Sequence, residues 1–248
     1  MSTEPGGELR RSLDLMWQGV PEPARGPRHS LSLERIVRAA VAVADAEGLA
    51  ALSMRRIAAE LDAGAMSLYR YVPGKTNLID LMVDEVYGED LDELAAVEGD
   101  WRARITRSAQ LQWATYLRHP WMLQIPQGRP LLGPNSMRAT EIALGQVDGL
   151  GLDEHEMTGV VIAVNSFVAG LARSTVENLQ AAEQTGLSDE DWWSVHSEVF
   201  ATALPPGTMP MLERLGEAGV WSGDFDSFGF GLERLLDGIA VLVAERQA

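Results

Sequence analysis

Leu52-Ser-Met-Arg-Arg-Ile-Ala-Ala-Glu-Leu-Asp-Ala-Gly-Ala-Met-Ser-Leu-Tyr-Arg-Tyr-Val-Pro-Gly-Lys75 is the stretch on which the fold turns. Ser53 is placed to cap a short helix whose apolar face is Met54, Ile57, Ala58 and Leu61. A turn at 62–65 follows, and then a predicted seven-residue helix from Met66 to Val72, stopped by Pro73-Gly74. Leu68 and Val72 are four residues apart and share one face of that helix, so they can lock it onto Ile57 and Leu61. Met66, Ser67, Tyr69, Arg70 and Tyr71 then project outward. A short helix with one anchored edge and a polar, aromatic outer face suits a DNA major groove. On spacing alone, an ordinary surface helix bearing a few tyrosines fits equally well.

Upstream, Ile36, Val37, Ala40, Val41 and Ala44 repeat at helical spacing, with Ser32 as N-cap and Gly48 as terminator. Downstream, Leu78, Leu81, Met82 and Val86 mark a fourth helix. Three short helices and a connecting fourth make a unit of DNA-binding size. The stretch resembles the tetracycline-repressor (TetR) family of regulators, whose hallmark is a Leu-Tyr-x-Tyr/His-Val/Phe element followed by Lys after a tight turn. Here it reads Leu68-Tyr69-Arg70-Tyr71-Val72-Pro73-Gly74-Lys75, within a match extending over 32–87. The resemblance implies that Ala65, Met66, Ser67, Arg70 and Tyr71 face bases or sugar, and that Tyr69 and Lys75 hold phosphates. Arg55, beside the cap Ser53, would sit on the DNA backbone or reach into the groove. Asp62 stands where the family usually has Gly, and Asp tolerates a left-handed backbone better than most residues.

Residues 1–30 read as an arm, expected to be flexible, with Pro21, Pro23, Gly26 and Pro27 breaking regular structure. An apolar island at Leu13, Leu15, Met16 and Trp17 leaves docking on the body open. Arg25 and Arg28 on this arm suit an adjacent minor groove, or a plain basic linker. The expected division is an arm at 1–30, a helix-turn-helix domain at 31–87 and a helical ligand-binding and dimerisation domain at 88–248.

That last region also reads as helical, so the fold class is all-α. Asp100 caps a helix through Arg118, Asp153 and Glu156 form a capping box, Ser188 and Asp191 open another helix, and Phe228, Leu232, Leu235, Ile239 and Leu242 define a closing one. More loosely, it resembles the ligand-binding domain of the tetracycline-repressor branch, through His119-Pro120-Trp121, Leu132-Gly-Pro-Asn135 and Phe230-Gly-Leu-Glu-Arg-Leu-Leu-Asp-Gly238. The resemblance implies a homodimer joined by a four-helix bundle. Val160, Val164, Phe167 and Leu171, with Phe228, Leu232, Leu235 and Ile239, are the expected interface, although both helices also fit an intrachain core. For an inducer pocket, Trp101, Trp113, Tyr116, Trp121 and Met137 offer apolar walls, and Gln112, Asn135, Glu141 and Asn165 offer polarity.

Composition narrows the partners. The net charge of −16 lies entirely in residues 81–248, because residues 1–80 hold ten basic and ten acidic groups. Within 25–75 there are eight basic and five acidic residues, and phosphate contact needs only a local basic face. No cysteine is present, and the four histidines fit no metal spacing, so neither a metal nor a cofactor is expected. The chain lacks a Gly-rich phosphate loop and a G-x-S-x-G element, which argues against a helical enzyme. No run of about 18 uncharged apolar residues appears, so a cytoplasmic protein with no membrane partner is expected. The favoured reading is a repressor released from palindromic operator DNA by a small-molecule inducer, with a regulator lacking an inducer as the alternative.

Overall fold

A computed structural model describes residues 6–19, 31–126, 132–220 and 225–248. Among them the regular structure is helical throughout. Helix α1 (Gly7–Gln18) precedes α2 (Leu33–Glu47), α3 (Met54–Glu60), α4 (Ala65–Leu68) and α5 (Lys75–Glu89). Next come α6 (Leu91–Ala95), α7 (Trp101–Arg118), a 3₁₀ helix (Pro120–Gln124) and α8 (Pro134–Gly145). The chain closes with α9 (Glu154–Thr185), α10 (Asp189–Ala203), α11 (Pro210–Glu217) and α12 (Ser227–Gln247).

The helix starts fall where short polar side chains can take orphaned backbone N–H groups. Ser32 accepts from Arg35 N at 3.2 Å, Ser53 from Arg56 N at 3.1 Å and Asp100 from Ala103 N at 2.8 Å. Asp153 accepts from His155 N and Glu156 N, while Glu156 returns a bond to Asp153 N, which completes the capping box of α9. Gly48 ends α2 at φ 80° and Asp62 takes φ 49°, so the turn after α3 keeps its left-handed residue.

Helices α2 to α5 enclose one small core of Ile36, Val37, Ala40, Leu52, Ile57, Leu68, Val72, Leu78 and Met82. α5 runs through the expected boundary at 87–88, so the two units share a helix. On the other side, α7 packs on α9, which packs on α12. Arg102 of α7 donates to Asp237 of α12 at 2.7 Å, and Arg246 of α12 pairs with Glu156 of α9 at 2.5 Å. These arginines hold both carboxyls below the ordinary carboxylate range. α9 has the length and apolarity to cross a membrane, yet Val160, Val164, Val168, Ala172 and Val176 along it are buried within the chain, as in a core helix.

Three expectations need correction. The segment 7–18 of the expected flexible arm is a helix docked on α5, so the docking alternative holds there. Ser12 is fully buried, and its hydroxyl donates to Asp80 at 2.5 Å. Asn77, also buried, donates to Glu8 O and to Ser12 Oγ at 2.8 Å, and Trp17 Nε1 donates to Leu132 O at 3.0 Å. Second, the helix expected at 66–72 is α-helical only over 65–68. The Val72 N–H still reaches Leu68 O at 2.9 Å, but Pro73 disfavours helical geometry in the residue before it and offers no N–H of its own. Third, the expected dimer residues Val160, Val164, Leu232 and Ile239 are buried in the chain's own core, and Phe167, Leu171, Phe228 and Leu235 are half-buried against it. The outward large apolar residues of α9 and α12 are Ile162, Leu179, Phe230 and Val241.

Burial is the main cause that pushes the Asp80 carboxyl above its ordinary value; the Ser12 hydroxyl opposes it and nearby Glu8 adds to it. The folded chain therefore holds this proton more tightly than the unfolded chain, and stability from Asp80 is present at low pH and lost as pH rises through the raised value. Asp80→Asn, whose carbonyl still accepts from Ser12, is expected to melt above the wild type at pH 7. That advantage should vanish near the acid end of a thermal-melt series in which the wild-type carboxyl is protonated.

Candidate nucleic-acid interface

The α4 segment is too short to hold a helical shape unaided. Leu68 and Val72 are completely buried, Ile57 beneath them likewise, and Leu61 is half-buried. With that edge fixed, Met66 stands 78% exposed, Tyr69 is 46% exposed and Arg70 is exposed beside them. Tyr71, Ala65 and Ser67 are half-buried; the first two pack on the core, and the Ser67 hydroxyl donates back to Gly64 O. The outward strip is therefore Met66, Tyr69 and Arg70, narrower than the five residues expected. Ala65, Ser67 and Tyr71 present only part of their surface.

Arg55 is exposed on α3. Its neighbour Arg56 is committed elsewhere, to Glu47 at 2.6 Å and Glu60 at 2.9 Å. Those two carboxylates raise the Arg56 guanidinium pKa, and Arg56 lowers that of Glu47. Ser53 is exposed, with its hydroxyl oxygen engaged as the cap of α3. Lys75 is the first residue of α5, where the N-cap Gly74 provides no side-chain bond. Its ammonium donates to Leu49 O at 3.2 Å and stays exposed, so a positive charge and open backbone N–H groups coincide at one helix end. Such an end suits a phosphate. Arg25 and Arg28 lie outside the described residues.

The residues expected to line a pocket do not form one group. Trp113, half-buried on α7, stacks 4.8 Å from Phe228 of α12, and Phe228 lies 6.1 Å from Phe167 of α9. Gly231 lets Phe167 approach, since a Cβ there would fall within 2.5 Å of its ring. Sequence reasoning assigned Phe167 and Phe228 to a subunit interface and missed this wall; spacing marks a buried face without naming its partner. Tyr116 is buried, and with burial as the larger influence it pushes the Tyr87 hydroxyl up to about 12. Trp101 and Gln112 are half-buried, whereas Met137 and Glu141 are exposed. Asn165, expected to lend polarity to a pocket, is exposed on α9. Asn135 is a joint: its side chain donates to Asp84 O at 3.0 Å, and the Asp84 carboxylate accepts from Asn135 N and Ser136 N at the start of α8. Trp121 is buried, and its indole N–H goes to Asp45.

Two family models match this chain. Residues 36–82 match the family model "Bacterial regulatory proteins, tetR family", and residues 95–243 match "Tetracyclin repressor-like, C-terminal domain". The HTH-type transcriptional repressor DrrR1 of Streptomyces coeruleorubidus is 44% identical over 245 residues, covering 99% of this chain and 90% of that protein. Among solved structures, apo ActR of Streptomyces coelicolor superposes with a TM-score of 0.69 at 28% identity, covering 90% of this chain and 99% of ActR. ActR in complex with actinorhodin gives 0.70 at 30% identity, covering 85% and 95%.

Two substitutions separate the anchored edge from the outward strip. Leu68→Ala is expected to destabilise the fold by about 2–5 kcal/mol, as truncation at a fully buried site does. Met66→Ala should stay within about 0.5 kcal/mol of the wild type. Denaturant titration of the two proteins checks both.

Proposed function

This chain belongs to the tetR family of bacterial regulatory proteins, and from that premise we propose that it is a homodimeric repressor that releases palindromic operator DNA when a small-molecule inducer binds its C-terminal domain. The observation that carries the reading is the pinned edge of the α4 segment. Burial of Leu68 and Val72 leaves Met66, Tyr69 and Arg70 outward, with Arg55 and Lys75 on either side. In the bound complex Met66, Tyr69 and Arg70 enter the major groove, supported by Ala65, Ser67 and Tyr71, while Arg55 and Lys75 take phosphates.

A palindrome needs two copies whose recognition segments lie about 34–36 Å apart. The corrected dimer face is the outward side of α9 and α12, with Ile162, Phe230 and Val241 as apolar contacts. Gly159, Gly170 and Gly238 have open space where a Cβ would stand, which lets a second pair of helices come close. The inducer wall is built from Trp113, Phe167 and Phe228, whose rings favour a ligand that itself carries flat apolar rings. Ligand entry between α7, α9 and α12 favours a conformer in which α5 is displaced and the two recognition segments lose their spacing. The ActR complex with actinorhodin supports ligand entry into a domain of this fold.

A mobility-shift titration with a duplex carrying the intergenic DNA beside its own gene tests the proposal. The wild type should bind, with an affinity that falls steeply as salt rises. Lys75→Ala should weaken binding and reduce the slope of log K against log salt by about 1, whereas Arg70→Ala should cost about 1–3 kcal/mol and relax base preference. A folded dimer that fails to bind at low salt would remove the reading.

A further inference from the structure

Among the described residues, more than one structural route joins the helix-turn-helix unit to the C-terminal domain. One is α5, which is continuous across both. Another links α2 directly to the segment after α7, beside the last residue of α5, Glu89. In it, Asp45, near the end of α2, faces the 3₁₀ helix that follows α7. One oxygen of Asp45 accepts the Trp121 indole N–H at 2.7 Å and lies 2.8 Å from His119 Nδ1. The other ring nitrogen of His119 lies 3.0 Å from Glu89. His119 and Trp121 are only 4% and 1% exposed, so their ring nitrogens depend on the carboxylates that reach them from the more exposed Asp45 and Glu89. The far end of the same 3₁₀ helix is held as well, because the Arg173 guanidinium of α9 donates to Leu123 O at 2.8 Å.

We propose that Asp45 is a positioning residue for operator binding: through Trp121 and His119 it ties α2 to the 3₁₀ helix, and through Leu123 and Arg173 to α9. The tie fixes the orientation of the helix-turn-helix unit at a second point beside α5, whose last residue Glu89 shares the His119 ring. The physical basis is pre-organisation. A recognition unit free to pivot on α5 alone must be ordered when it docks on DNA, and that ordering weakens binding without removing any DNA contact. The indole can only donate, so its role here is unambiguous, and Trp→Phe removes the N–H while keeping an aromatic side chain. Asp45 itself is an exposed residue outside the recognition strip, so its truncation removes the acceptor of the buried indole without removing apolar packing.

The proposal rests on the operator-binding reading, and two measurements keep the two apart. The first is amide exchange in the last turn of α2 in DNA-free protein. Trp121→Phe and Asp45→Ala should exchange about tenfold faster there than the wild type, while Asp45→Asn, whose carbonyl oxygen still accepts two bonds, should resemble the wild type. The second is the titration with the intergenic duplex, in which the first two variants should bind several-fold more weakly with an unchanged salt slope and Asp45→Asn should restore binding. Operator binding within twofold of wild type for both Trp121→Phe and Asp45→Ala overturns the proposal, as does Asp45→Asn weakening binding as much as Asp45→Ala. If the wild type binds no DNA, the operator reading falls by itself. Equal α2 exchange in all four proteins would then overturn the tie.

Discussion

Everything the protein presents to DNA depends on a hydrophobic contact at the bottom of a four-residue helix. Ordering the seven residues 65–71 costs about 1–2 kcal/mol each in backbone entropy. Burying one leucine returns only about 1.5–3 kcal/mol. Leu68 and Val72 therefore cannot order the segment on their own; they do so by joining a core already held by Ile36, Ile57, Leu78 and Met82. The recognition surface is a by-product of that core, and its shape is as stiff as the packing of α2, α3 and α5. This explains why Met66 can be almost fully solvated without loosening the segment.

α5 extends the same rigidity toward the rest of the molecule. Its first half meets α1 through Asn77 and Asp80, its middle meets α8 through Asp84, and its end meets α7 through Glu89 and Arg118. Asp84 is nearly buried, an expensive place for a carboxylate unless its oxygens are satisfied. Two backbone N–H groups at the positive end of α8 satisfy it. A displacement of α5 thus breaks a specific and costly set of bonds and is not a gradual drift, which is what a two-state response to ligand requires.

Local chemistry was legible in the sequence and long-range partnership was not. Ser32, Ser53, Asp100, the Asp153–Glu156 box and Ser188 mark real helix starts, because a cap is a contract among residues three apart. The left-handed Asp62 was readable through the family resemblance, since it stands where that family usually has Gly. The anchoring roles of Leu68 and Val72 followed from spacing, yet the length of their helix did not, since Pro73 acts on the residue before it. α1 escaped notice because its most buried side chain is Ser12, which no hydrophobic pattern would select. The valine stripe of α9 was rightly seen as a buried face, but a stripe carries no label saying whether it meets its own chain or another. Trp121 was misjudged likewise: an aromatic beside a helix end gives no hint that its N–H is spent on Asp45, 76 residues away.

A chain of net charge −16 meeting a polyanion appears contradictory until the arginines are sorted by what they face. In the C-terminal domain Arg102, Arg107, Arg118 and Arg246 each pair with a carboxylate on another helix or at a helix end, and Arg234 pairs with Asp237 of its own helix, so their charge is neutralised within the chain. On the helix-turn-helix unit Arg56 is spent in the same way, while Arg55, Arg70 and Lys75 stand exposed around the recognition strip. At 0.1 M salt an exposed charge is felt over about 10 Å, so the acidic surplus of the C-terminal domain is largely screened from the DNA. In the proposed complex a phosphate meets Arg55, Arg70 and Lys75 and the open end of α5.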